Sequence, residues 1–374
     1  MTHQTPPENL TILAIESSCD ETAAAVVRGG REVLSNIVAS QIDEHRRYGG
    51  VVPEVASRQH ILALESVIGE AVRGVPGGWQ AIDAVAATHG PGLSGALLTG
   101  LNAAKGIAFA RELPFVGVNH IEAHIYASWL GTTPETAPQF PLVALVVSGG
   151  HTLLALIEGH GRYRLLGQTR DDAAGEAFDK SARIMGLGFP GGPAIQRAAA
   201  SAQGGVVLPR AWLRDSYDFS FSGLKTAVLH QIQARDSREA KVGGVASKSL
   251  PRAGQAAPAP SAAPAEQAGV DKFTAQIAYA FQESVVDVLV TKAVDAARAF
   301  GATEIVLAGG VAANARLRGE MQRRASIPVR FPAVDLCTDN AAMVGAAGFY
   351  RFEAGVQSGW DLDVNPNLPL ALPG

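Results

Sequence analysis

Residues 11–27 read TILAIESSCDETAAAVV, and residues 142–157 read LVALVVSGGHTLLALI. Each is an apolar run, a short turn of small and polar residues, and a second apolar run, the pattern of a strand that turns back beside itself. Each also opens one half of the chain, so the pair outlines a duplicated α/β domain. The two turns differ in chemistry. The first crowds Glu16, Asp20 and Glu21 together, and such like charges repel unless a cation or a proton-transfer task compensates. In the second, Gly149 and Gly150 have no side chains, so their N–H groups can approach a phosphate or acyl oxygen closely.

Around these strands the periodicity fills in an α/β chain. Residues 55–72 show helical spacing through Ile61, Leu64, Ile68 and Val72. A strand at 82–87 ends in His89-Gly90-Pro91-Gly92-Leu93-Ser94-Gly95, and a helix follows with Leu97, Leu98, Leu101, Ala104, Ile107 and Ala108 on its core side. A glycine-rich turn feeding a helix suits either anion binding or close helix–strand packing. Residues 114–118 form a short buried strand, after which Asn119 is placed to cap a helix beginning at His120.

That helix carries His120-Ile121-Glu122-Ala123-His124. Histidines four residues apart share one helix face, where two imidazoles can bind one metal ion. A zinc peptidase would need Glu directly after the first His; here Glu122 stands two residues along, on another face.

In the second half, Gly175-Glu176-Ala177-Phe178-Asp179-Lys180 opens a helix, and Phe189-Pro190-Gly191-Gly192-Pro193 punctuates the chain with Pro193 as a first helical residue. Asp179 can offset a helix dipole or accept hydrogen bonds from a ribose. Residues 219–225, FSFSGLK, lead into another helix. From about 235 to 270, Ala, Pro, Ser, Gly and Gln dominate and periodicity vanishes, the composition of a flexible insertion without catalytic function. A long helix at 273–300 and a strand at 304–307 precede Ala308-Gly309-Gly310-Val311-Ala312-Ala313-Asn314, a second Gly-Gly turn after a strand. Cys337-Thr338-Asp339-Asn340 opens a last helix, with Asp339 either its N-cap or a third metal ligand. The Pro-rich tail from Ala354 reads as extended.

Composition sets the limits. The 374 residues, 47% apolar and 18% charged, suit a globular protein of two domains. A net charge of −4 gives no general attraction for nucleic acid, so such binding must rest on local basic groups or a partner. Two cysteines, Cys19 and Cys337, are too few for a disulfide framework and point to a reducing cytoplasm. No apolar run approaches the ~20 residues that span a bilayer, so no membrane is expected.

Taken together and in order, these motifs, with Tyr48-Gly49-Gly50-Val51-Val52-Pro53-Glu54 among them, closely resemble the tRNA threonylcarbamoyladenosine-synthesis transferase family, formerly the O-sialoglycoprotein endopeptidase or glycoprotease family. The match runs from residue 11 to about 350, broken only by the insertion. The resemblance implies an α/β, actin/hexokinase-like (ASKHA) duplicated fold of two lobes around a central cleft. Its lobes are residues 1–136, joined by the helix 341–353, and residues 137–340, with 354–374 as tail. It implies transfer of threonylcarbamoyl from threonylcarbamoyl-adenylate to the exocyclic amine of the adenosine 3′ of the anticodon, in tRNAs reading codons that begin with A, with AMP released. Carried over by position, His120, His124 and Asp339 hold one divalent metal, Fe(II) before Zn(II). Val146, Val147, Ser148, Gly149, Gly150, Asp179, Gly192 and Asn314 hold the adenylate. Asp20 and Glu21 are the candidates to take the amine proton, Glu21 preferred. Implied partners are tRNA, a shorter ASKHA paralogue and a P-loop ATPase. Arg46, Arg47, Arg58 and Lys225 are the basic groups placed to meet tRNA, whereas Arg323 and Arg324 read as a solvated helix face. The rival readings are a zinc metallopeptidase and a non-catalytic ASKHA scaffold.

Overall fold

The computed structural model describes residues 9–243 and 270–370. In chain order, β1 (Thr11–Glu16), β2 (Glu21–Arg28), β3 (Glu32–Ser40), α1 (Ile42–Arg46), α2 (Pro53–Arg73), β4 (Ala84–Gly90), α3 (Ser94–Ala110), β5 (Phe115–Asn119) and α4 (His120–Tyr126) build the first half. The second half contains β6 (Leu142–Val147), β7 (Thr152–Gly159), β8 (Arg162–Gln168), α5 (Ala174–Ile184), α6 (Gly191–Ala199) and α7 (Ser222–Gly243). It continues through α8 (Lys272–Ala299), β9 (Glu304–Ala308), α9 (Ala315–Arg324) and β10 (Val329–Arg330) to α10 (Ala341–Glu353).

The repeated pattern in the sequence becomes a repeated topology. One sheet runs β3-β2-β1-β4-β5 and the other β8-β7-β6-β9-β10. Within each, the first three strands pair antiparallel in hairpins and the last two join parallel. β1 and β6 lie at the centre and are buried on both faces, which is why they read as unbroken apolar runs. Alternate residues face different cores. Leu13 and Ile15 pack toward Leu64, Ile68 and Leu101 of α2 and α3. Ile12 and Ala14 share a core with Ala144 and Val146 of the other sheet and with residues of α10. That helix lies directly on the first sheet: a Cβ on Gly345 would stand 2.7 Å from Val27, and one on Gly348 would stand 2.8 Å from Ala86.

Several expectations shift. The edge strands β3 and β8 have no counterpart in the sequence reading, because both are half-exposed and carry polar and charged residues that blunt the apolar signal. The strand expected at 82–87 begins at Ala84. In α2, Ile61 points outward at 67% exposed, and the fully buried His60 takes the core-facing position instead. In α3, Leu98 is likewise exposed. Pro193 is the third residue of α6, with Pro190 before the helix. The expected insertion begins too early, because α7 continues to Gly243; residues 244–269 of that stretch lie outside the described residues. The tail is extended as expected, and it is tied down. Ser358 N donates to the Phe115 carbonyl, Asn365 N to that of His89, and Asn119 Nδ2 to that of Pro369. Among the described residues no helix is long and apolar enough to cross a membrane.

Candidate metal centre

Asn119 ends β5 and caps α4, its side-chain oxygen accepting from Ile121 N at 2.8 Å and Glu122 N at 3.2 Å. The cap fixes where α4 starts, and so turns His120 and His124 inward one above the other. Both are buried, with ring centroids 4.6 Å apart. Asp339 arrives from the far end of the chain. It is not the N-cap of α10: Asn340 is, accepting from Met343 N at 3.1 Å. Because the neighbouring residue takes the capping task, the Asp339 carboxylate is left to face the histidines. Its Oδ1 lies 3.6 Å from His120 Nε2 and 3.2 Å from His124 Nε2.

This trio suits a metal ion. One ligand atom from each lies within 4.8 Å of the others, the spacing of donors about 2.1 Å from a shared ion. His124 is 1% exposed, and beyond the approach of Nε2 to Asp339 neither ring nitrogen is hydrogen-bonded, a costly condition for a buried imidazole unless a cation fills it. The carboxylate of Glu16, fully buried at the end of β1, accepts from Thr88 Oγ1 at 2.7 Å and lies 3.1 Å from His120 Nδ1. That contact orients the ring and leaves Nε2 facing Asp339, the support a metal-binding histidine usually has. In the sequence Glu16 is only one of three crowded acids; its pairing with His120 depends on β1 and α4 meeting.

The electrostatics follow from burial opposed by close partners. Burial alone would neutralise His120, but Asp339 and Glu16 outweigh it and raise its pKa to about 9. Burial likewise works against charge on Asp339, and His120 and His124 overcome it, holding the carboxyl well below the usual range. His151, after the Gly-Gly turn, is pushed down to about 4 by burial and by the charges of His120 and His124. It stands beside the trio, a place the sequence reading did not give it.

The rest of the predicted site gathers with uneven success. Gly149 and Gly150 are exposed, and a Cβ on either would meet open space. Ser148 is committed to the turn: its N–H donates to the His151 carbonyl at 2.8 Å, and its hydroxyl accepts from His151 N. Val146 and Val147 are buried in β6 and present only backbone. Asp179 accepts from Gly191 N at 2.7 Å, and burial raises its pKa. Gly192 has open space where a Cβ would be. Asn314 spends both ends of its amide inside the protein, capping α9 through Leu317 N and donating to Gln282. A cavity of about 370 Å³ lies alongside, lined by Ile121, Gly150, His151 and the tail from Pro366 to Leu370.

The acidic turn is half-buried. Burial and the Asp20 carboxylate beside it push Glu21 up to about 10, the behaviour of two neighbouring carboxyls that ionise as a pair. Glu122 lies away from the trio, gripped by Tyr163 Oη at 2.6 Å and Arg351 Nη1 at 2.7 Å. It serves as a buried anchor, which removes the base that a peptidase would need. Glu122→Ala is expected to cost about 2–4 kcal/mol, since it strands the Arg351 charge and the Tyr163 hydroxyl. Denaturant unfolding would measure this, with metal content unchanged.

The family model for tRNA N6-adenosine threonylcarbamoyltransferase (TsaD) matches residues 32–346. A protein of that name from Thermomicrobium roseum is 54% identical over 365 residues, covering 96% of this chain and 97% of its own. One from Dehalococcoides mccartyi is 51% identical, covering 96% and 99%, and one from Geobacillus kaustophilus is 49% identical, covering 97% and 98%. Among solved structures, component A of (R)-2-hydroxyglutaryl-CoA dehydratase from Acidaminococcus fermentans matches with a TM-score of 0.51 at 14% identity, over 92% of this chain and 99% of its own. Full-length HypF matches with 0.54 at 13% identity, over 92% of this chain and 46% of its own. These two likenesses concern the fold alone, and they place it in the actin/hexokinase-like class of two-lobed α/β proteins.

Proposed function

The chain belongs to the tRNA N6-adenosine threonylcarbamoyltransferase family, and on that premise we propose how its cleft works. The protein transfers a threonylcarbamoyl group to an adenosine of tRNA. The donor is threonylcarbamoyl-adenylate, and the acceptor is the exocyclic amine of the adenosine 3′ of the anticodon in tRNAs reading codons that begin with A. A bond forms from the amine nitrogen to the acyl carbon, the bond from that carbon to the phosphate oxygen breaks, and AMP leaves with the electron pair. One amine proton must be taken up.

One observation carries this reading: two distant stretches bring one ligand atom each of His120, His124 and Asp339 within 4.8 Å of one another, beside His151, which follows the open Gly149–Gly150 turn. The trio holds one divalent metal, with iron(II) the first choice for two histidines and a carboxylate and zinc(II) the second. When bound, the ion would polarise the acyl carbonyl or neutralise phosphate oxygens. With the Ser148 N–H spent on His151, the Gly149 and Gly150 amides are the donors offered to the adenylate, above a floor of Val146 and Val147. Asp179 and Gly192 take the adenosine end, and Asn314 shapes it through the helix it caps. We assign the amine proton to Asp20, with Glu21, the neighbouring carboxyl that burial raises, beside it. The test is purified protein with synthetic threonylcarbamoyl-adenylate and unmodified tRNA, digested and analysed for the modified nucleoside; no product with full metal occupancy would overturn the reading.

The partners we assign are a shorter paralogue and a P-loop ATPase, in the cytoplasm. Exposed Ile61 and Leu62 on α2 offer such a partner an apolar face, and free Cys19 and Cys337 suit a reducing compartment. Binding of tRNA by this chain alone should be weak. Arg46 and Arg47 are each paired with an acid of their own helix, Asp43 and Glu44, so α1 offers little net charge. Reversing both to Glu is expected to weaken tRNA binding and lower its salt slope by at most about 2, while adenylate binding holds. Affinities over a salt series would show this; tight, salt-insensitive binding of tRNA would contradict it.

A further inference from the structure

The fully buried His60, standing where helical spacing expects Ile61, is one link in a line of polar groups that reaches the acidic turn. Val52 N–H donates to His45 Nδ1 at 3.3 Å. His45 Nε2 meets Gln41 Oε1 at 3.2 Å, Gln41 Nε2 meets His60 Nδ1 at 3.5 Å, and His60 Nε2 meets the Cys19 carbonyl at 3.0 Å. The two ends set the direction. A backbone N–H can only donate and a carbonyl can only accept, so both histidines carry their proton on Nε2 and every donor points toward Cys19. Thr22 Oγ1, 2.8 Å from His60 Nδ1, is the nearer donor to that nitrogen, and Gln41 Nε2 divides its protons between His60 and the Ala56 carbonyl at 3.4 Å. His45, Gln41 and His60 are all buried, and none of their side-chain polar atoms lacks a partner. Fully satisfied buried networks hold their members in one arrangement.

The line ends on the segment that matters for chemistry. His60 holds the Cys19 carbonyl, Gln41 N donates to the Asp20 carbonyl at 3.0 Å, and Ser40 Oγ donates to Glu21 Oε1 at 3.1 Å. Its other end rests on the second lobe. The exposed Arg183 of α5, one helical turn beyond Asp179, donates to the Gly49 carbonyl, and Gly50 N returns to the His45 carbonyl.

We propose that His60 is a positioning residue for Asp20 and Glu21, and that through Gln41 and His45 it ties their placement to the 42–52 arm and its Arg183 clasp on the second lobe. The contact between the lobes then holds the acidic turn where the incoming amine meets it. This rests on the reading that Asp20 takes the amine proton.

The test uses the full metal-loaded chain with adenylate and tRNA, and compares His60→Ala, His60→Gln, Arg183→Met and Asp20→Asn. For His60→Ala, kcat is expected to fall ~10–100-fold, the scale of a misplaced catalytic group, with both KM values within about threefold of the parent. Amide exchange over residues 18–22 should quicken. His60→Gln, whose amide can still donate to Cys19, should recover most of both losses. Arg183→Met breaks only an exposed clasp and should lower kcat in the same direction, without adding fully to His60→Ala. Unchanged kcat and exchange in His60→Ala would overturn the proposal, as would a loss matched by lost fold that His60→Gln does not relieve. If His60→Ala does not fold, Arg183→Met decides: parental kcat and parental exchange over residues 18–22 in that variant sink the relay. Full activity in Asp20→Asn would instead overturn the reading beneath it, and exchange at 18–22 would still judge the positioning.

Discussion

His124→Ala should yield a folded protein that has lost its metal and most of its transfer activity. Apart from the 3.2 Å approach of Nε2 to Asp339, the ring nitrogens of His124 have no partner in this buried site, so removing the ring disturbs little of the protein's own hydrogen bonding. What it removes is one of three donors to the ion. Losing several kcal/mol of charge stabilisation at the acyl centre corresponds to a fall of about 10²–10³-fold in kcat. Metal analysis, circular dichroism and single-turnover transfer would be measured on the same preparation. Full metal occupancy in this variant would show that the three residues are not the ligand set.

Metal uptake should also depend steeply on pH, in a direction the site dictates. Against the pull of burial, Asp339 and Glu16 raise His120 to about 9 in the metal-free protein, and a metal can bind its imidazole only after that proton leaves. Below pH 9, then, each ion taken up displaces a proton from His120, and apparent affinity falls as pH falls. The slope is about tenfold per pH unit, or roughly 10³ between pH 9 and pH 6, and it flattens above 9. Glu16→Gln would lower the His120 pKa and shift the flattening point downward, and it would weaken binding by roughly 10–100-fold through lost support of the ring. Competition with a chelator across this pH range would measure both. A pH-independent affinity would mean that His120 is not a ligand.

Much of this was legible because it is local. An apolar run, a turn and an apolar run, written twice, point to two hairpins, and β1–β2 and β6–β7 are those hairpins. Asn119 before His120, and the four-residue spacing to His124, determine a capped helix with two imidazoles on one face. The Gly149–Gly150 turn is open in the folded protein for the reason visible in its sequence, the absence of side chains. Edge strands such as β3 and β8 escaped because their half-exposed residues do not alternate cleanly.

What only the tertiary structure decided is which group meets which across the chain. Asn340 takes the cap and frees Asp339, a choice between neighbours that propensity cannot make, since Asp and Asn cap about equally well. Glu16 reaches His120 only because β1 and β5 share a sheet with β4 between them. Glu122 is drawn to Arg351, 229 residues away, and so becomes an anchor and not a base. Glu21 is raised by burial and by Asp20 at its side. Spacing along the chain determines which residues share a face, but burial, pairing and protonation depend on distances across the core, and those exist only once both lobes have folded.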